Sequence, residues 1–342
     1  MTSVALFGFG RIGRNLFRIL HSREDVRIAA IADPAEPEAL AYLVRFDTLL
    51  GRFPDLVTIR GNHLYVAGRQ IPLLTGAEAN AMRWKELGVE TVLEATSRSR
   101  TRAELEKHLE SGARRVISLA PPAEPLDLLA VPGLTDNRID SRQRMVSNAS
   151  STVHAVAPVL HILHETLGIR RALFTTVHAY TSQHRLADVP AEDKRRGRAA
   201  AENIIPQESR SPAMLDQVLP ELAGKITGYA MNVPVQNGSV VDLVCWHEKE
   251  VAPEAINEVI RTAAATDRWS RILQYENEPI VSSDVARSSW SSIFDSLATM
   301  TLVGRVSKTL SWFDSGYGYA HRAVDLLDRY AALDRTAAAR TA

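Results

Sequence analysis

The fold of this chain is decided by the segment Val4-Ala5-Leu6-Phe7-Gly8-Phe9-Gly10-Arg11-Ile12-Gly13-Arg14. Its apolar start predicts a buried strand, and residues 14–20 have the apolar spacing of a helix. The three glycines let a turn close, let the main chain approach a pyrophosphate, and let the helix pack on the strand. The segment therefore predicts a strand, turn and helix that bind a dinucleotide at the helix N-terminus.

An acidic residue supports this prediction. Asp33 follows Gly13 by 20 residues and ends a second apolar run that begins at Val26. A carboxylate at this place accepts hydrogen bonds from a ribose 2′-OH and repels a 2′-phosphate, so NAD is favoured over NADP. A glycine turn needed only for packing is the alternative.

The character of the sequence changes near residue 150. Before it, strand-like and helix-like segments alternate as in βαβ units, at Thr91–Ala95, Ala103–Ser111 and Arg115–Ala120. After it, longer runs rich in Val and Thr are typical of an open sheet. These runs are Ala172–Thr181, Lys225–Val235 and Ser239–His247.

The C-terminal region has helical spacing over Gly318–Ala332. The Ala, Arg and Thr residues at 336–342 lack the apolar surface needed to order a segment, so we predict a disordered tail there.

Composition excludes several function classes. Lys plus Arg equals Asp plus Glu at 40 each, so no net field attracts nucleic acid or an anionic membrane. No apolar run reaches the ~18 residues of a membrane span and no signal peptide is evident, which predicts a cytoplasmic protein. Cys245 is the only cysteine, which excludes an internal disulfide. No carboxylate or thiol completes a ligand set with His161 and His164, so no metal site is predicted.

Further segments resemble the signatures of the glyceraldehyde-3-phosphate dehydrogenase family, in the family's order, across nearly the whole chain. The opening segment Gly8–Arg14 is one of them. The others are Phe46-Asp47, Gly51-Arg52-Phe53, Ser147-Asn148-Ala149-Ser150, Thr176–Thr181, Arg198–Ala201, Asn203–Pro206, Val240–Leu243, Ser291–Asp295 and Trp312–Asp314.

The resemblance implies an α/β fold, with an N-terminal Rossmann domain and an α+β catalytic-type domain that contains a large mixed sheet. The expected ranges are 1–150 for the first domain, joined by a C-terminal helix at 316–335, and 151–315 for the second. The resemblance also implies NAD as cofactor and a homotetramer in which the segment around Thr181–Pro206 lines neighbouring cofactor sites. With the glycine motif, it gives the candidate dinucleotide residues Gly8, Phe9, Gly10, Arg11, Ile12, Gly13, Asp33, Thr96, Ser315 and Tyr319.

The chain departs from the family at the nucleophile. The family's motif reads Ser-Asn-Ala-Ser-Cys-Thr-Thr-Asn, whereas residues 147–154 read Ser-Asn-Ala-Ser-Ser-Thr-Val-His, which puts Ser151 at that position. In the family, a thiolate paired with the residue matching His178 adds to an aldehyde, hydride leaves to NAD, and phosphate cleaves the thioester. A serine hydroxyl is far less ionised, and an oxoester resists phosphorolysis more. We therefore predict negligible phosphorylating activity.

Other departures favour natural divergence over an engineered Cys→Ser change. Asn232 stands where the family has the arginine for the substrate phosphate, and Ser209-Arg210 replaces Thr-Gly in the inorganic-phosphate loop. Ser315 replaces the asparagine that holds the nicotinamide amide. Ser97 and Leu119 replace a glycine and a serine near the dinucleotide.

The candidate catalytic residues are His178, Ser151 and His154. Of these, His154 should lie one helical turn past Ser151. A structural role for either histidine is the alternative. Candidate residues for a substrate phosphate or carboxylate are Ser150, Thr152, Thr181, Ser209, Arg210 and Asn232, with Arg196 and Arg198 as further cations; surface or subunit contacts are the alternative for the arginines.

Three hypotheses follow. The first is an NAD(H)-dependent oxidoreductase that acts on another substrate without a covalent thiol intermediate. The second is an enzyme whose substrate is the dinucleotide or a derivative of it. The third is a non-catalytic NAD-binding or regulatory homologue.

Overall fold

A computed structural model describes residues 1–76, 78–98, 100–302 and 304–341. The chain divides into two compact units. Unit 1 comprises residues 1–130, 135–149 and 320–342, and unit 2 comprises residues 131–134 and 150–319. The ranges expected from the sequence differ from these units at 131–134, at 150 and at 316–319.

Unit 1 is built on a parallel sheet with helices between its strands, as the alternation in the sequence predicts. Short 3-10 turns lie at Ala79–Ala81 and Asp136–Arg138. Its strands and helices are β1 (Thr2–Phe7), α1 (Arg11–Leu20), β2 (Val26–Asp33), α2 (Pro37–Arg45), β3 (Phe46–Asp47), β4 (Gly51–Arg52), β5 (Val57–Arg60), β6 (His63–Val66), β7 (Arg69–Thr75), β8 (Thr91–Glu94), α3 (Arg102–Glu110), β9 (Arg115–Ser118), β10 (Leu128–Leu129) and β11 (Met145–Ser147).

The strand order in this sheet is β10-β11-β9-β8-β1-β2-β7-β6-β5, in which β5 pairs antiparallel with β6 and β6 pairs antiparallel with β7. The other strand pairs are parallel. Strand β1 lies at the centre, with β2 on one side and β8 on the other, both parallel to it. The carboxyl ends of these three strands therefore lie at the same edge. Gly8, Asp33 and the segment leading to Thr96 all lie at this edge, where ligands bind in sheets of this type.

The described residues of unit 2 form a mixed sheet and the three helices α4, α5 and α6, whose bounds are given below. Further 3-10 turns lie at Pro220–Leu222 and Ser282–Val285. Its elements are α4 (Ser151–Leu167), β12 (Ile169–Ala179), β13 (Ile205–Glu208), α5 (Ser211–Val218), β14 (Ile226–Val233), β15 (Ser239–His247), α6 (Pro253–Ala264), β16 (Leu273–Glu276), β17 (Ser292–Leu302) and β18 (Val306–Phe313).

The strand order in the second sheet is β13-β14-β12-β15-β18-β17-β16. Strand β15 alternates strictly between buried and half-buried side chains, and the sequence predicts its bounds without error. Cys245 is fully buried on this strand, and burial raises the pKa of its thiol well above the ordinary value. The prediction that Cys245 packs as a small apolar residue is confirmed.

The last helix, α7 (Tyr317–Thr341), is longer than the sequence predicts. Its unit 1 portion is held by Tyr330, whose ring lies 4.0 Å from the Arg115 guanidinium carbon, and by Asp334, which accepts a bond from Arg115 at 2.7 Å. The predicted disorder at 336–342 is wrong through Thr341, because alanine and arginine are strong helix formers and extend an anchored helix. Ala342 lies outside the described residues.

Within the described part of the chain, no helix is both long enough and apolar enough to cross a membrane.

Candidate functional site

The glycine turn after β1 is closed by a contact that leaves no room for a side chain. A Cβ added at Gly13 would lie 2.1 Å from the carbonyl oxygen of Gly8, and Gly8 itself has a φ of +91°. The turn can therefore form only with glycine at these positions. At Gly10, an added Cβ would meet no atom within 4 Å, so open space lies at the start of α1.

Helix α1 begins directly at this open space, with Gly10 as its N-cap residue. The first turn of a helix directs N–H groups outward and carries a partial positive charge, which suits an anionic ligand. No acidic residue lies in the first turn of α1 to compete for that charge. Arg11 and Ile12 are half-buried there, whereas the Phe9 ring packs into the core against Phe17 at 5.8 Å.

Asp33 ends β2 beside the same turn. Its Oδ2 accepts a bond from the Phe9 backbone N–H at 2.7 Å, and its Oδ1 accepts one from Ala35 at 2.9 Å. These bonds fix the carboxylate in one orientation. Each oxygen retains a further lone pair, so the group can accept another hydrogen bond.

Thr96 is held by a buried network that the sequence analysis missed. Its backbone N–H and its hydroxyl both donate to Oε1 of Glu94, while Oε2 of Glu94 accepts from His108 Nε2 at 3.0 Å. His108 Nδ1 in turn accepts from the indole N–H of Trp84 at 3.1 Å, which assigns the ring's proton to Nε2. Glu94, His108 and Trp84 are all fully buried. The network therefore fixes Thr96 against the glycine turn, where its methyl group faces Gly8.

In unit 2, α4 presents the residues at the predicted nucleophile position. Ser150 is its N-cap and accepts a bond from the Val153 N–H at 3.2 Å. Ser151 is the first helical residue and is half-buried, and Thr152 is buried beside it. His154 lies one turn further along the helix, as predicted, and its buried ring lies 5.9 Å from the ring of Tyr319.

His178 is oriented by its own strand. Its Nδ1 lies 2.6 Å from the carbonyl oxygen of Ala179. Because a carbonyl can only accept, Nδ1 carries a proton, and in the neutral ring Nε2 keeps a lone pair. Asn232 lies opposite His178 in the β12–β14 pair, so no cation stands at the position where the family has an arginine.

Three of the predicted anion residues take part in two small hydrogen-bonded groups. In one, Ser150 and Ser209 are joined by Ser211, whose Oγ lies 3.4 Å from that of Ser150 and whose N–H donates to Ser209 at 3.2 Å. Arg210 precedes α5 with its side chain exposed. In the other, Thr181 is bonded to His184, a residue that the sequence analysis missed.

The arginines of the segment after Thr181 are exposed, and one of them is already paired. Arg198 forms a salt bridge to Asp188 at 3.0 Å, while Arg196 is exposed. Asp188 also accepts a bond from the Ala199 N–H at 2.9 Å. The two bonds of Asp188 connect both ends of the segment 188–199. Arg198 is therefore a poor candidate for binding a substrate anion.

Ser315 follows β18 in a turn organised by Asp314. One oxygen of Asp314 accepts from the N–H groups of Gly316 and Tyr317, both at 2.8 Å, which starts α7. Among the described residues, the buried Oγ of Ser315 has no hydrogen-bond partner. A buried hydroxyl in this state is suited to a bond with a bound ligand.

No group of three or more His, Cys, Asp or Glu side chains could hold a metal ion within the ranges that the structure describes.

Comparisons with known proteins agree with the two-unit architecture. Residues 2–102 match the family model for the glyceraldehyde 3-phosphate dehydrogenase NAD binding domain, and residues 150–315 match the model for its C-terminal domain. The chain is 43% identical over 324 residues to a glyceraldehyde-3-phosphate dehydrogenase from Geobacillus stearothermophilus, covering 94% of this chain and 96% of that protein. It is 42% identical to that of Mycobacterium leprae, with 95% and 97% covered, and 40% identical to that of Streptomyces coelicolor, with 94% and 96% covered.

The buried network gives a stability prediction. Replacing Glu94 with Gln turns one acceptor into an N–H₂ group that faces a donor, and this should lower the free energy of unfolding by about 2 kcal/mol. Urea unfolding followed by circular dichroism measures the change. The matched control is Glu106→Gln, at an exposed position on α3, which should change stability by less than about 0.5 kcal/mol. Equal stability of the two variants would contradict the assigned network.

Proposed function

The chain belongs to the glyceraldehyde-3-phosphate dehydrogenase family, and from that premise we propose that it is an NAD(H)-dependent oxidoreductase with a different substrate and no thioester intermediate. The observation that carries the proposal is the combination of an open Gly10 space at the start of α1 with a serine at the first position of α4. The first feature suits a dinucleotide, and the second removes the chemistry of the family.

Residues of unit 1 fit the pyrophosphate and a ribose of a nicotinamide dinucleotide. The Gly10 space and the N-terminus of α1 would receive the pyrophosphate, and the acceptor oxygens of Asp33 would receive a ribose diol. In unit 2, the hydroxyl of Ser315 is buried without a partner among the described residues, and it is available to a bound ligand. When bound, this cofactor accepts or donates hydride.

His178 is the residue that we assign to proton transfer. With Nδ1 donating to Ala179, Nε2 of the neutral ring can take the proton of a substrate hydroxyl while hydride leaves the carbon that carries this hydroxyl. In the reverse direction it can return the proton. This step forms and breaks no bond to the protein. His154, buried against Tyr319, is better suited to packing than to proton exchange with solvent.

Ser151 is proposed to bind substrate and not to attack it. A hydroxyl at a helix N-terminus can donate to or accept from a carbonyl or hydroxyl group. It lacks the thiolate character on which covalent catalysis in the family depends. The buried Cys245 cannot replace it, because its thiol is held protonated inside the sheet. The expected homotetramer stays a prediction.

The glycine turn provides a test of dinucleotide binding. Gly10→Ala places a methyl group in the open space, so the Kd for NADH should rise at least about tenfold while stability changes by no more than about 1 kcal/mol, the usual cost of alanine at an N-cap. Fluorescence titration with NADH and urea unfolding measure the two quantities. Gly13→Ala is the matched comparison: it overpacks the turn against Gly8 and should lose about 3 kcal/mol of stability. Unchanged NADH affinity in the Gly10 variant would mean that the ligand does not approach this turn.

A second test concerns the lost nucleophile. Ser151→Cys should give no detectable NADH formation from glyceraldehyde 3-phosphate, NAD and phosphate, because Asn232 and Ser315 still replace the family's arginine and asparagine. Titration with a thiol reagent is the control: one thiol should react in the variant and none in the parent, since Cys245 is buried. Rapid phosphate-dependent turnover would show that the thiol alone was missing. NADH binding with no turnover of any hydroxyl or carbonyl substrate, even in the parent chain, would favour a non-catalytic homologue.

A further inference from the structure

Strands β2 and β7 of unit 1 are paired over only part of their length. Their register joins residues 31–33 of β2 to residues 73–75 of β7, in parallel. Ahead of this paired stretch, a cavity of about 440 Å³ is lined by residues 26–29 of β2 and residues 69–72 of β7. Successive side chains of a strand point to opposite faces of a sheet. A cavity that touches successive residues of both strands therefore lies between two facing strand edges, and this space is the β2–β7 cleft.

The β2–β7 cleft lies at the end of β2 opposite to Asp33. Val26, which begins β2, lines the cleft, and Asp33 ends the same strand. Seven residue steps of extended chain separate the two, which corresponds to about 23 Å. The cleft is therefore separate from the edge of the sheet at which the glycine turn lies.

Arg69 reaches across the cleft from β7. Its Nη2 donates to the carbonyl oxygen of Arg23 at 2.9 Å, and its Nη1 donates to that of Val26 at 3.4 Å. Carbonyl oxygens satisfy these donors but carry no net charge, and Arg69 forms no ion pair within the described part of the chain. A guanidinium has five N–H donors, so three remain for a ligand. The charge of Arg69 therefore stays uncompensated beside the cleft.

A second arginine lines the cleft from β2. Arg27 is exposed, and its guanidinium is held by a 3.5 Å bond to the carbonyl oxygen of Leu87. No Asp or Glu is among the described residues that line the cleft. The carboxylate that bonds to a lining residue is that of Asp55, which lies 3.3 Å from His21 Nε2. The cleft therefore offers two cations to an anion and has no acidic wall.

The walls of the cleft are largely apolar. Ile28, Ala29 and Ile71 line it and are almost fully buried, and Pro72 lines it and is half-buried. An apolar space with a few polar groups is the usual form of a small-molecule site, and such sites have volumes of about 300–1,000 Å³. A ligand that fits both features combines an acid group with an apolar body.

We propose that the β2–β7 cleft binds a small apolar monocarboxylate, with its acid group paired to Arg69 and Arg27 and its apolar body between Ile28 and Ile71. A planar carboxylate matches the fork of N–H donors that a guanidinium presents. The inference goes beyond the proposed function and does not depend on it, because the cleft and the glycine turn lie at opposite ends of β2.

Three probes test the ligand class on the full chain near neutral pH, by isothermal titration calorimetry. The acid 3-phenylpropionate and its amide, 3-phenylpropanamide, have the same apolar body and differ in charge. The acid should bind at least about tenfold more tightly, because a neutral amide cannot form a charge-assisted pair with a guanidinium. Equal affinities, or no binding of the acid at millimolar concentration, would overturn the proposal.

Inorganic phosphate, the third probe, carries charge without an apolar body. It should bind at least about tenfold more weakly than 3-phenylpropionate, since it buries no apolar surface in the cleft. Phosphate that binds as tightly as the acid would show a simple anion site and would contradict the proposed ligand class.

Variants test whether the two arginines hold the acid. Arg27→Gln removes an exposed charge, and the Kd for 3-phenylpropionate should rise about tenfold. Arg69→Gln should have at least the same effect, and urea unfolding shows what the loss of its bonds to Arg23 and Val26 does to stability. The matched control is Arg142→Gln, an exposed position just before β11, which lies four strands from β2 in the sheet order. A similar rise in Kd for Arg27→Gln and Arg142→Gln would contradict a site between β2 and β7.

A crystal soak locates the ligand directly. The bromine atom of 3-(4-bromophenyl)propionate gives an anomalous signal, and its peak should lie between Ile28 and Ile71. A peak found only elsewhere on the chain would overturn the proposal, even if calorimetry shows that the acid binds.

Discussion

The closed turn between β1 and α1 depends on one close approach, that of Gly13 to the carbonyl oxygen of Gly8. No side chain fits there, and the contact brings the start of α1 to the carboxyl end of the central strand. From this follow the open space at Gly10, the orientation of Asp33 through the Phe9 N–H, and the position of Thr96 against Gly8. Steric exclusion at one glycine therefore sets the geometry of the sheet edge at which Gly8, Asp33 and Thr96 lie.

Hydrogen-bond polarity sets the chemistry in the same way. Asp33 accepts bonds from two backbone N–H groups, and His178 Nδ1 donates to the Ala179 carbonyl, which leaves a lone pair at Nε2 of the neutral ring. None of these assignments needs a bound ligand, because each follows from a partner that can only donate or only accept. In unit 2, Ser151 at the start of α4 lacks the thiolate character on which covalent catalysis in the family depends.

Much of the fold could be predicted from the sequence because it depends on local patterns. The spacing of Gly8, Gly10 and Gly13 and the alternation along Ser239–His247 have direct structural consequences, and the structure agrees with both.

The buried network of Trp84, Glu94 and His108 could not be predicted, because its members are separated along the chain and each has an ordinary alternative. His184 lies only three residues from Thr181, yet nothing in its spacing reveals which ring nitrogen accepts. The helix through Thr341 was missed because its anchors, Tyr330 and Asp334, act through Arg115 in another part of the chain.

The central claim is that this family member handles its substrate without a covalent bond to the protein. Intact-protein mass spectrometry, after incubation with NAD and D-glyceraldehyde 3-phosphate in the absence of phosphate, tests it most directly, because an acylated protein would then accumulate. The account predicts that the chain keeps its unmodified mass. A stoichiometric adduct that maps to Ser151 would contradict it.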